Sequence, residues 1–249
     1  MDFITAGNAV AGRQDIIKQG LWFAVLLSAL LAALATSWMA HKPVDYGYGL
    51  WYDQMDIRGH IDRYAPRNRY IRGFDGLTQE QHEDLFGLIV DAVHAQGSGL
   101  SEISFTDKRG RVKPLLREPE VVHLQDVANL IDVLSVAGGV SLLVAALGTF
   151  MLVRRRIAIN WKQQGAILGG LLVSLALVLL IVGPTAVFYQ LHVWIFPDDH
   201  QWFFYYQESL MSTMMKAPDL FGGIGATIAL VGLLLFSLYL LIVRRLLGR

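Results

Sequence analysis

The segment Glu120-Val-Val-His123-Leu-Gln-Asp126-Val sets one imidazole between two carboxylates, each three residues away. On a helix that spacing puts all three side chains on one face. A carboxylate there would fix the imidazole tautomer and stabilise its protonated form, as in acyl-transfer triads. The alternative for Glu120 and Asp126 is that they only complement the positive end of a helix that starts at this point. A second histidine, His192, stands in a segment crowded with aromatic residues, including Phe188, Tyr189, Trp194, Phe196, Trp202, Phe203, Phe204, Tyr205 and Tyr206. Two imidazoles with a nearby donor such as Tyr189 could serve as base and electrophile in acyl transfer. The same His123, Asp126 and His192 could instead ligate zinc and leave a position open for water, although a dense His-Glu-x-x-His cluster is absent from the sequence.

The elements that would position these residues follow from hydropathy. Hydrophobic residues make up 54% of the chain and charged residues 17%, against ~25% in an average soluble domain. Four runs, 21–40, 133–153, 166–188 and 220–243, are free of Lys, Arg, Asp and Glu and long enough to cross the ~30 Å hydrocarbon core as helices. The first follows Arg13 and Lys18 but exceeds a signal-peptide core, so it reads as an uncleaved anchor. Arg154, Arg155, Arg156 and Lys162 fall between spans two and three, and Arg244, Arg245 and Arg249 follow span four. The positive-inside rule then places residues 1–20, 154–165 and 244–249 in the cytoplasm, and 41–132 and 189–219 outside. His123 precedes span two and His192 follows span three, so both imidazoles are expected at one depth on the outer face. Near a helix start His123 would be kept neutral, while His192 near a helix end would be favoured as imidazolium, which suggests His123 as base and His192 as acid or electrophile.

Segment 41–132 reads as a small α+β cap. Thr78 and Gln81 form a capping-box signature, and Leu85, Leu88, Ile89, Ala92 and Val93 recur at helical spacing up to Gly97 and Gly99. Ile103 and Phe105, a turn at Asp107-Lys108-Arg109-Gly110, and Val112 to Leu116 suggest a hairpin. His41, His60, His82 and His94 are assigned to surface or packing roles. Pro184 is positioned to kink span three. The expected fold is an all-α membrane protein with four transmembrane helices and an extracytoplasmic cap between the first two.

Lys plus Arg equals Asp plus Glu at 21 each, which argues against a nucleic-acid partner, and the lack of cysteine excludes disulfides and thiolate chemistry. At Glu120-Val-Val-His123-Leu-Gln-Asp126-Val, Leu191-His192-Val-Trp-Ile-Phe196 followed by Trp202, and Ala217-Pro218-Asp219-Leu-Phe221, the chain resembles the bacterial lipoprotein intramolecular transacylases. Gly76-Leu-Thr-Gln-Glu-Gln81 is also similar, whereas 41–75 and the spacing from Pro197 to Trp202 depart from the family pattern.

That resemblance implies an acyltransferase of the bacterial plasma membrane that uses no cofactor. Its substrate would be a diacylated lipoprotein held in the phospholipid bilayer. The enzyme would move the sn-2 acyl chain of the diacylglyceryl group on the N-terminal cysteine to that cysteine's α-amine. The resemblance carries the catalytic role onto His123 and His192; Asp126 and Glu120, by their spacing from His123, and Tyr189 and Trp202, in the aromatic loop, are the expected supporting residues. The competing readings are a zinc-dependent membrane hydrolase and a non-enzymatic membrane sensor or assembly factor.

Overall fold

A computed structural model describes residues 2–248, with side chains from residue 14 onward; Arg249 and the Arg13 side chain lie outside the described residues. Nine α-helices are present among the described residues: α1 (Asp2–His41), α2 (Tyr48–Gln54), α3 (Ile57–Tyr64), α4 (Gln79–Val93), α5 (Glu118–Arg154), α6 (Trp161–Val182), α7 (Pro184–Ile195), α8 (Leu210–Met215) and α9 (Asp219–Leu247). Strands β1 (Ser104–Thr106) and β2 (Val112–Pro114) pair antiparallel, with Phe105 opposite Lys113. Four helical stretches are long and apolar enough to cross a membrane: Gln14–Gln54, which runs from α1 into α2, and Glu118–Arg154, Trp161–Val182 and Asp219–Leu247, which are α5, α6 and α9.

The chain divides into two compact units. One comprises residues 1–38, 136–181 and 229–249. Its core joins α1 to α5, α6 and α9 through Leu26, Leu30, Ala145, Leu168 and Phe236, with Trp22, Val25, Leu152 and Val243 forming a second cluster. Small residues allow the close helix approaches that pack spans where lipid supplies no hydrophobic drive. A Cβ on Gly138 would stand 2.6 Å from that of Ala35, and one on Gly232 would stand 3.2 Å from the Cα of Leu34. The opposite faces are apolar and exposed: Leu180 and Ile181 are each about 80% accessible, as suits side chains meant for lipid.

The second unit comprises 39–135 and 182–228. Its α4 begins with a complete capping box, in which Thr78 Oγ1 accepts from Gln81 N and Gln81 Oε1 accepts from Thr78 N. The buried face of α4 includes Leu85, Phe86, Ile89, Val90 and Val93. The Phe86 ring stacks on Tyr48 of α2 at 4.2 Å between centroids. Three of the four histidines assigned to packing serve as polar fillers. His82 is fully buried, taking the Tyr52 hydroxyl at Nδ1 (2.9 Å) and facing the Phe74 carbonyl with Nε2 (3.4 Å). His94 meets Tyr46, and His60 packs between Tyr64 and Tyr206.

Two boundaries differ from the hydropathy reading. The second spanning helix starts at Glu118, fifteen residues before the apolar run at Val133, so the polar His123 segment and the span form one continuous rod. At about 1.5 Å per residue its 37 residues reach roughly 55 Å, well beyond the hydrocarbon thickness. The third apolar run is not one helix to Phe188 but breaks at Gly183, whose φ of 88° falls in the region open to glycine, and restarts with Pro184 at the first turn of α7. Pro184 therefore begins a new helix instead of kinking an old one.

Candidate active site

His123 projects from the second turn of α5 and His192 from the last turn of α7. Their ring centroids lie 6.0 Å apart with planes at 35°. The two histidines picked from sequence therefore meet.

An aromatic wall encloses the pair. Phe196 faces both rings, at 5.0 Å from His123 and 5.1 Å from His192, and Phe204 stands 6.1 Å from His123. Phe188 and Trp202 bracket His192 at 4.1 and 5.2 Å. Tyr189 packs on Trp202 at 6.0 Å. Tyr189 and Trp202 are thus in the shell around His192, with Trp202 touching its ring.

The two imidazoles differ in hydrogen bonding. His192 Nδ1 lies 2.8 Å from the Phe188 carbonyl oxygen. A carbonyl only accepts, so Nδ1 carries the hydrogen and Nε2 of the neutral ring holds the lone pair. His123 is buried (8% exposed), and its Nδ1 has no hydrogen-bond partner among the described residues. An orphaned buried N–H is rarer than an under-used acceptor, so the hydrogen of neutral His123 belongs on Nε2. Burial pushes the His192 pKa down, partly opposed by its bond to the Phe188 carbonyl. Desolvation outweighs the helix-end dipole expected to favour the imidazolium, because the ring is walled by aromatic side chains.

The carboxylates flanking His123 are engaged elsewhere. Glu120, fully buried, accepts from Ser209 Oγ and from Arg117 N (2.7 Å), with Arg117 Nε at 3.3 Å. Ser209 Oγ in turn accepts from Ser212 N at the start of α8. Glu120 therefore ties the start of α5 to the start of α8 and does not bond His123. Asp126 Oδ2 accepts from Nδ1 of His200 at 2.7 Å, across 74 residues of sequence. This bond holds the His200 pKa above its ordinary value. His200 is the partner of Asp126 that sequence reasoning passed over. Its only signal was the acidic run Asp198-Asp199 beside it, which gives no hint of a partner on α5. Among the described residues no three His, Asp or Glu side chains form a set that could hold a metal ion, so His123, Asp126 and His192 are not arranged as zinc ligands.

The family model described as "Lipoprotein intramolecular transacylase Lit" matches residues 101–217, the stretch that contains both histidines, Asp126 and the aromatic loop. Solved structures of the membrane integral lipoprotein intramolecular transacylase Lit from Bacillus cereus share the fold. One, a variant with a histidine replaced by arginine, is 17% identical with a TM-score of 0.67 and 97% of each chain covered. A second, at 18% identity and a TM-score of 0.64, covers 94% of this chain and 98% of its own. A third, with a histidine replaced by alanine, is 17% identical at a TM-score of 0.64. No curated protein sequence matches the chain. The Lit resemblance drawn from the motifs is thus met in sequence over 101–217 and in fold over nearly the whole length.

Proposed function

We propose that this protein is a lipoprotein intramolecular transacylase in which His192 is the base and His123 the hydrogen-bond donor to the developing oxyanion. The observation that carries the reading is the meeting of the two imidazoles inside the Lit-family segment. The α-amine of the substrate's N-terminal cysteine attacks the sn-2 ester carbonyl carbon, forming the C–N bond while its proton passes to His192 Nε2. The tetrahedral oxyanion accepts a hydrogen bond from His123 Nε2–H. As the C–O bond breaks, the His192 imidazolium returns the proton to the departing glycerol oxygen, leaving an amide, a free sn-2 hydroxyl and the enzyme unchanged. Amine and ester belong to one molecule, so holding them together supplies much of the rate and no serine nucleophile is needed.

These roles reverse those suggested by helix dipoles alone, and the tautomers are the reason. His192 gives its Nδ1 hydrogen to a carbonyl and keeps a free lone pair. His123, with Nδ1 orphaned, is better suited to donate from Nε2. Trp202 and Phe188 hold the His192 ring, with Tyr189 behind Trp202.

In the orientation we favour, both termini and the segment 154–165 face the cytoplasm, supported by Arg154, Arg155, Arg156, Lys162, Arg244 and Arg245. Residues 41–132 and 189–219 then form an extracytoplasmic cap and loop. The protein would act in the bacterial plasma membrane on substrate whose acyl tails stay in lipid. The test is the purified full-length protein in phosphatidylcholine vesicles with a synthetic diacylglyceryl-cysteinyl peptide. Conversion to the N-acyl, monoacylglyceryl peptide is expected for wild type. His192→Ala should slow it by roughly 10²–10⁴-fold, and His123→Ala by roughly 10²–10³-fold. Wild-type turnover in either variant would remove that histidine from the mechanism.

A further inference from the structure

A cavity among the described residues lies apart in sequence from the histidines. It measures about 720 Å³ and is lined by α1, the turn after α5 and the start of α6. Lys18, Arg155, Arg156 and Lys162 line it, with Asp15 the single acid. None of these four cations makes an ion pair among the described residues. A positive cluster beside a span is expected from topology alone, but loose topological cations need no ordered walls. Here the walls are built. Gln19, 7% exposed, donates from Nε2 to the Ala158 carbonyl (3.1 Å) and accepts from Asn160 N at Oε1 (2.9 Å). Gln164 Nε2 donates to the Gln19 carbonyl (2.9 Å), and Trp22 Nε1 to the Ile157 carbonyl (3.1 Å). The backbone of the turn 155–160, which carries Arg155 and Arg156, is thereby stapled to α1, which carries Lys18.

We propose that this cavity binds the phosphate-bearing headgroup of an anionic phospholipid. A free phosphate shares that chemistry, but the location favours lipid. The turn joins the ends of two spanning helices, so it sits at headgroup level, and Trp161, which lines the cavity, exposes apolar surface to meet an adjoining acyl chain. The start of the 22-residue α6 adds backbone N–H groups and the positive end of a helix dipole. Asn160 Oδ1 accepts only one of them, from Gln163 N. The site is independent of the proposed transacylation and stands or falls without it.

The test places the full-length protein in bilayers of equal phosphatidylglycerol and phosphatidylcholine, then counts retained lipids by native mass spectrometry after release. Wild type should retain phosphatidylglycerol over phosphatidylcholine. Arg155→Gln/Arg156→Gln should lose retention by roughly 10-fold, each cation near a membrane surface being worth a several-fold change in affinity. Asp15→Asn, which leaves the cations and the Gln19 staples intact, should raise retention and serves if the double variant fails to fold. A separate titration of inorganic phosphate into protein in phosphatidylcholine alone should give no saturable rise in unfolding temperature. Equal retention of both lipids, retention unchanged in both variants, or saturable phosphate binding without phosphatidylglycerol preference would each overturn the proposal.

Discussion

His192 and His123 look alike in sequence, each a lone imidazole beside an apolar run, and become distinct only through what their Nδ1 atoms meet. For His192 that is a carbonyl within its own helix, and for His123 it is nothing. A proton acceptor works only while neutral, and burial lowers the His192 pKa below the usual ~6.5. Turnover therefore falls as pH drops through a value below ~6.5, and is not lost from this group on the alkaline side. The substrate amine, with a reference pKa of about 7.7–8.0, adds a separate inflection at higher pH. A kcat–pH profile of wild type against His192→Ala checks this: the lower inflection should vanish in the variant while the upper one remains. Its disappearance in His123→Ala instead would exchange the roles.

At the scale of elements, the site depends on two ties that hold the aromatic loop 196–209 to α5. His200 gives Nδ1–H to Asp126, and Ser209 gives its hydroxyl to Glu120. The His200 pKa is raised, so the ionic form of the first tie is complete at low pH and is lost as pH rises through that raised value. His200→Ala is expected to raise KM about 3–10-fold with a smaller change in kcat, and to flatten the pH dependence of KM above neutrality. An unchanged KM would show that the tie does not position substrate. Glu120→Gln leaves Ser209 and Arg117 short of a charged acceptor and should cost about 1–3 kcal/mol, read as a lower unfolding temperature in detergent. In the same unit, His82 is buried neutral with its pKa pushed down to about 4. The unfolded chain binds that proton near 6.5, so stability falls as pH drops from ~6.5 towards 4, and melts at pH 7 and 5 should separate accordingly.

Legibility in the sequence divides along these elements. The capping box at Thr78 and the 104–114 hairpin are local, written within a few residues, and appear where expected. The histidine pair was legible because span count and cation placement put both at one depth. The partners of Asp126 and Glu120 were not, since each lies in a loop more than seventy residues away whose path is set by packing. The break at Gly183 was half visible: Pro184 announced a disruption, but only the positive φ of the preceding glycine turns a kink into a helix end.

At the scale of the whole molecule, four helices long enough to span a bilayer and the Bacillus cereus Lit fold describe a multi-pass membrane protein. The spanning unit relies on close helix approach. Adding a side chain at Gly232 would press on the Cα of Leu34, a backbone atom that cannot swing aside. Gly232→Leu should lower the unfolding temperature, by about 1–3 kcal/mol of overpacking, more than the same change at Gly222, where a Cβ meets nothing within 4 Å. The central claim is the reaction itself. Its most direct test is mass spectrometry of lipoprotein N-termini from bacterial cells with and without this protein. A gain of N-acyl, monoacylglyceryl cysteine that depends on His123 and His192 is expected. Lipoproteins that stay diacylglyceryl with a free α-amine while the protein is present and folded in the membrane would contradict it.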